Sequence, residues 1–246
     1  MKFSLETYKL IDYKQWDFSG LGANIYHLLT PIEKRIWREA IPVQDMRDDE
    51  GQGEVVTLFT LRLLDYIDAN REIAVPAAIL HDTGFSRIPN AGDAHRAAAK
   101  AGKAGDVSYR KIHQDFGVEI AKEILWKLNY NPSHIQKICE IIGDHDTRLN
   151  EPSLDGKVMM DADILWRFTL PQFNAYKDTE TPTGSLTELL SRYERIISKP
   201  KRFYTQEGIA LARVEFANTL MRIYPDGAQS ILEPNYSAEL ERLSKQ

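Results

Sequence analysis

The chain has 246 residues, 43% of them hydrophobic and 27% charged, with a formal net charge of −5 and one cysteine. That acidic balance excludes a general nucleic-acid binder, whose footprint is a basic face, and a single Cys excludes an intrachain disulfide framework. The length suits one large domain or two small ones. No apolar run approaches the roughly 20 residues of a membrane span, and the first residues lack a signal-peptide core, so a cytoplasmic protein is expected, with no membrane partner.

In chain order, helical periodicity dominates and strand alternation is scarce. Thr30-Pro31-Ile32-Glu33 predicts a helix start, with a Thr cap, Pro at the first helical position and Glu at the capping-box position, running to about Ala40. Asp45 to Gly53 reads as an acidic loop. Glu54 to Asp68 is predicted helical, with Val55, Leu58, Phe59, Leu61, Leu64 and Ile67 apolar. Ile73 to His81 is a short, nearly all-apolar helix, expected to be central and buried on every side. Arg87 to Asp106 reads as a long loop with at most one helical turn, of the kind that forms lids. Tyr109 to Leu128 is helical, and Asn131-Pro132-Ser133 restarts a helix carrying Ile135, Ile138, Ile142 and His145. Val158 to Leu170, a capping box at Ser185-Leu186-Thr187-Glu188 leading to about Ile197, and Thr205 to Ile223 complete the prediction. The expected fold is one all-α domain of eight or more helices spanning residues 1–246. Cys139, Trp126, Trp166 and Phe168 read as core.

The chemistry is concentrated in Ala77-Ala78-Ile79-Leu80-His81-Asp82-Thr83-Gly84, where an apolar helix stops on adjacent His and Asp. Desolvating a carboxylate is costly unless something compensates it, and a divalent metal accepts both groups at once. Further candidates follow: His113 on the apolar stripe of its helix, His145 on the stripe of the next, and Asp163 in the core-like segment Met160-Asp161-Ala162-Asp163-Ile164-Leu165-Trp166. Each alone is weak, since a single His on an apolar face is more often a core histidine. Four helices each directing one such group inward is how helical bundles build metal sites. Mixed nitrogen and oxygen ligation suits Fe, Mn, Ni or Co, and carboxylates also admit Mg. Among the cations near these residues in sequence (Arg62, Arg87, Arg110, Lys111, Arg148), Arg62 and Arg148 are the preferred pair to receive an anionic group, alongside Asp82 as a catalytic group. Lys100 and Lys103 could close over a substrate or simply solubilise their loop; Tyr109, Tyr204 and Arg213 are candidate pocket walls. His95 sits in the polar loop, with contact to a metal or substrate the less favoured alternative; His134 reads as structural, and His27 is unassigned.

The order His81-Asp82, His113, His145, Asp163 resembles the HD-domain superfamily of metal-dependent phosphohydrolases over about Glu54 to Arg167. The run at Ala77 to Gly84 and Phe116-Gly117-Val118-Glu119-Ile120-Ala121 after the middle His carry the likeness, and Tyr204 to Arg213 looks like the C-terminal helix of many such hydrolases. The resemblance implies a helical core over about 54–170 with extensions at 1–53 and 171–246 packed on it. It implies one or two divalent ions: His81, Asp82 and Asp163 anchoring one, Asp82 bridging to another held by His113 and His145, and Asp161 supporting from behind. It also implies a nucleotide or small phosphorylated metabolite as substrate; a homodimer is compatible with it. The family's first His falls near Phe59, which cannot ligate; Glu54 is one substitute, by analogy with HD-GYP proteins. Two other functions fit the same resemblance: a degenerate domain that binds a nucleotide or protein without turnover, and a di-iron oxygenase of the inositol-oxygenase-like type.

Overall fold

A computed structural model describes residues 16, 22–47, 49–103, 106–175 and 193–223, and among these residues there is no strand. Ten helices follow in chain order: α1 Pro31–Ala40, α2 Gln52–Leu64, α3 Arg71–Leu80, α4 Ala91–Lys100, α5 Val107–Lys127, α6 Pro132–Ile142, α7 Leu154–Trp166, α8 Leu170–Ala175, α9 at 193–198, and α10 Gln206–Ile223. The all-α reading therefore holds. One apolar cluster runs through them from Ile25 to Leu220.

Local chemistry sets most boundaries. Thr30 closes the capping box of α1, its hydroxyl accepting from the Glu33 amide at 3.4 Å while Glu33 accepts from the Thr30 amide at 2.7 Å. Asn131 caps α6 through the Ser133 amide at 2.9 Å. α2 begins two residues before the predicted Glu54, because the Asp45 carboxylate accepts from the amides of Gly51 at 2.8 Å and Gly53 at 3.0 Å, satisfying free N–H groups at the helix start. α7 likewise begins earlier than predicted, at Leu154, capped by Ser153, whose hydroxyl accepts from the Gly156 amide at 3.2 Å.

α3 is the centre of the bundle and touches α1, α2, α5, α6 and α7. Every residue from Ile73 to Leu80 is buried, as its unbroken apolar sequence required. Asp161 on α7 is fully buried and holds the start of α10: its carboxylate accepts from the amides of Tyr204 at 2.8 Å and Thr205 at 2.9 Å and from the Thr205 hydroxyl at 2.6 Å. Gly208 lies so close that an added Cβ would stand 2.6 Å from Asp161 Oδ2. The supporting role behind the metal that the resemblance implied for Asp161 is thus replaced by a fold-building one.

Two expectations need correction. The segment 87–106 is not a loop; it contains the ten-residue helix α4, in which Ala94, Ala97, Ala98 and Lys100, strong helix formers, outweigh the flanking glycines. Trp126 is 55% exposed, whereas Trp166 and Phe168 are buried as expected. The capping box at Ser185 lies outside the described residues.

Candidate metal centre

The centre is built where helices end. The last carbonyls of an α-helix have no intrahelical partner and must find one elsewhere. At the end of α3 three side chains supply it: His81 Nδ1 donates to the Ala78 carbonyl at 2.8 Å, Gln44 Nε2 to Ile79 at 2.7 Å, and the Thr83 hydroxyl to Leu80 at 2.8 Å. At the end of α6, His145 Nδ1 donates to the Ile142 carbonyl at 2.8 Å. Each imidazole is thereby fixed in ring plane and tautomer, with Nε2 turned inward, which is how protein metal sites orient histidine. Asp82, just past α3, sits at φ −103° and ψ 5° and opens the 3-10 turn Thr83–Arg87.

That turn packs against α5 through Gly84, where a Cβ would lie 1.8 Å from the His113 carbonyl oxygen. The close approach brings Phe85 onto the His113 ring, with centroids 4.2 Å apart and planes at 13°. His113 Nε2 then faces Asp82 Oδ1 at 3.5 Å and His145 Nε2 at 3.5 Å, and His145 Nε2 faces the same oxygen at 3.3 Å. Asp82, His113 and His145 each contribute one donor atom to a group lying within 4.8 Å. His81 Nε2 lies on the other side of the carboxylate, 3.4 Å from Asp82 Oδ2 and 3.7 Å from Asp163 Oδ1. All three imidazoles are 1% exposed. So the structure brings His81, Asp82, His113, His145 and Asp163 together.

Three residues at the centre were not found from sequence. Asp146 Oδ2 is 3.7 Å from His113 Nε2; its adjacency to His145 was the available signal. Arg47 Nη2 donates to Asp82 Oδ2 at 2.7 Å and to Gln52 Oε1 at 2.9 Å, and pairs with Asp49 Oδ2 at 2.8 Å. Gln52, at the first position of α2, is the residue of that helix that reaches the centre; Phe59 is fully buried in the apolar cluster. Glu54 is spent elsewhere, accepting from the amides of Asn24 at 2.8 Å and Ile25 at 3.2 Å.

The two preferred phosphate-binding arginines are not at the centre. Arg148 donates to the carbonyls of Lys201 at 2.7 Å, Arg202 at 2.6 Å and Met160 at 3.0 Å, and ties loops together. Arg62 sits in the last turn of α2, ten residues beyond Gln52 and so about 15 Å along the axis at ~1.5 Å per residue. Arg87 pairs with Glu119 and Glu123. A polar cleft of about 40 Å³ opens on the centre, walled by Arg47, Gln52, Asp82, His145, Asp146 and Asp163, with His95, Arg167 and Gln172 also lining it. His95, placed by the sequence reading in a polar loop, is carried there by α4, and Tyr109 Oη approaches its Nδ1 at 3.4 Å. A wider groove of about 730 Å³ beside α5 and α6 contains none of the centre's residues.

The electrostatics show a site that demands positive charge. Burial opposes a charged His81 ring, but Asp82 and Asp163 outweigh it and carry its pKa up to about 9. His145 is raised as well: burial opposes it, and Asp82 and Asp146 prevail. Asp82 is driven well below the usual carboxylate range, burial being overcome by Arg47 and His81. His113 moves the other way, pushed down to about 3 by burial despite Asp82. It is therefore a neutral imidazole at physiological pH, the form that ligates.

Fold and site define an all-helical protein with a buried imidazole–carboxylate centre at its helix ends. Residues 55–167 match the family model described as HD domain, a family whose domains are typically metal-dependent hydrolases binding divalent metals. Comparison with curated proteins and with solved structures gave no match. The donor set fits a divalent ion: the Nε2 atoms of His113 and His145 converge on Asp82 Oδ1, and beside them His81 Nε2 is a buried nitrogen without a hydrogen-bond partner. Among the described residues no helix is long and apolar enough to cross a membrane.

Proposed function

We propose that the protein is a metal-dependent phosphohydrolase acting on a nucleotide or small phosphorylated metabolite. The observation that carries the reading is the convergence of the Nε2 atoms of His113 and His145 on one oxygen of Asp82, at 3.5 and 3.3 Å, with Asp146 and Asp163 flanking. A bound divalent ion lowers the pKa of coordinated water and polarises a phosphoryl oxygen. His113, His145 and Asp82 would hold it. The protein's own contribution is orientation: the carbonyls of Ala78 and Ile142 fix the rings of His81 and His145, and the cleft presents the charged side chains of Arg47 and Arg167 with the amides of Gln52 and Gln172. Guanidinium and amide donors match phosphate oxygens.

The test is elemental analysis of protein purified without chelator, paired with a screen of nucleoside phosphates and small phosphate esters. Stoichiometric transition metal and phosphate release that falls at least ~100-fold in Asp82→Ala are expected, in line with the effect of disrupting a metal-ligand set. Metal-free protein without hydrolysis would overturn the reading. A second reading, a domain that binds a nucleotide without turnover, is favoured by one observation: Arg47 already neutralises Asp82. Ligand-induced thermal stabilisation without hydrolysis would select it.

A further inference from the structure

We propose that this centre holds one divalent ion, on Asp82 Oδ1, His113 and His145, and that the Arg47 guanidinium occupies the place of a second cation on Asp82 Oδ2. The inference rests on the metal-dependent reading above and sharpens it, because the resemblance by itself admits one ion or two and assigns the first to His81, Asp82 and Asp163.

The two oxygens of Asp82 have divided roles. Oδ1 faces only imidazole nitrogens among its charged neighbours, His145 Nε2 at 3.3 Å and His113 Nε2 at 3.5 Å. Oδ2 is held by Arg47 Nη2 at 2.7 Å, well inside the 3.4 Å that separates it from His81 Nε2. Arg47 is fixed from several directions. Asp49, 1% exposed, pairs with it at 2.8 Å; Gln52 accepts from it at 2.9 Å; and its guanidinium lies 4.3 Å over the Phe85 ring. Phe85 in turn stacks on His113 at 4.2 Å. Guanidinium, ring and imidazole thus form one stack, so Arg47 and the His113 ligand are placed by the same contacts.

A guanidinium does not lose its proton in a protein, so Arg47 cannot vacate Oδ2 by titrating. A divalent ion shared by His81, Asp163 and Oδ2 would meet a like charge held at hydrogen-bond distance from one of its own ligands. Beside it Gln52, a neutral amide, is already engaged in accepting from Arg47. The three donors that do lie within 4.8 Å of one another are Asp82, His113 and His145. Arg47 and Gln52 both precede the family-matched stretch 55–167.

The experiment uses Mn²⁺, which takes mixed nitrogen and oxygen ligands and is visible by electron paramagnetic resonance. Metal-stripped full-length protein is dialysed against Mn²⁺ and bound ions per chain are counted. The wild type is expected to bind one, with the signal of an isolated ion. His81→Ala is expected to keep that ion and His113→Ala to lose it. Arg47→Gln, which leaves Asp49 and Asp82 without their cation, is expected to take up a second ion and give the signal of a coupled pair, while Arg47→Lys stays at one. Two ions in the wild type, a single ion in folded Arg47→Gln, or an ion lost in His81→Ala and kept in His113→Ala would each overturn the proposal. The wild-type and histidine arms decide it even where Arg47→Gln does not fold. No Mn²⁺ bound by the wild type would instead bring down the metal-dependent reading itself.

Discussion

Replacing Gly84 with alanine is expected to disrupt fold and centre together. The added Cβ would lie 1.8 Å from the His113 carbonyl oxygen, 2.5 Å from the Gly117 amide nitrogen and 2.8 Å from the His113 carbonyl carbon. All three are backbone atoms of α5, so no rotamer change relieves the clash. Ordinary contact begins near 3.4 Å, which forces the Thr83–Arg87 turn and α5 apart by roughly 1.5 Å, beyond what overpacked cores absorb for 1–3 kcal/mol. A loss of at least ~3 kcal/mol follows, or a fall in melting temperature of about 6–12 °C for a chain of this size. Because the turn also carries Phe85 onto His113, divalent-metal affinity should fall with stability. Gly117→Ala provides the graded comparison: its Cβ would meet Ile142 Cγ2 at 3.1 Å and the His81 carbonyl oxygen at 3.3 Å, a tight fit costing about 1 kcal/mol. Urea denaturation and Mn²⁺ titration of both variants measure this. A Gly84→Ala protein with wild-type midpoint and wild-type metal affinity would refute the claim that the His-Asp-Thr-Gly run is held against α5 by backbone contact.

Two further outcomes follow from the same geometry. In chelator-treated protein the His81 pKa of about 9 stands above the unfolded value of 6.5, so the native state binds the extra proton between those values. Stability should be full below pH 6.5 and fall as pH rises to 9, by up to about 3 kcal/mol at 1.36 kcal/mol per pH unit, with His145 adding in the same direction. Saturating Mn²⁺ or His81→Ala should flatten this slope, and a slope unchanged in His81→Ala would locate its origin elsewhere. Asp161→Ala leaves two α10 amides and the Thr205 hydroxyl without their acceptor, which should cost about 3 kcal/mol in urea denaturation while the number of bound Mn²⁺ ions stays unchanged; a lost ion would return Asp161 to the centre.

The fold class was legible because helices advertise themselves locally. The Thr30 and Asn131 caps and the unbroken apolar run of α3 are written in neighbouring residues, and the structure uses them as read. The misread segment, 87–106, failed for a local reason too: its glycines were weighed above its alanines. The ligand candidates were legible for a similar cause, since a helix that buries an imidazole and a carboxylate announces an unusual environment within a few positions of sequence.

Sequence by itself determined an all-α chain of the HD type and the residues of its His-Asp run, because capping, periodicity and the cost of burying charge act over short separations. The tertiary structure decided the composition of the centre. Arg47 reaches Asp82 across 35 positions and lies in what reads as a featureless acidic loop; Gln52 rather than Phe59 is the α2 residue at the site; Arg148 ties loops together instead of facing a phosphate. Such pairings depend on how helices cross and on which carbonyls their ends leave exposed, and no periodicity along the chain encodes a distance through space.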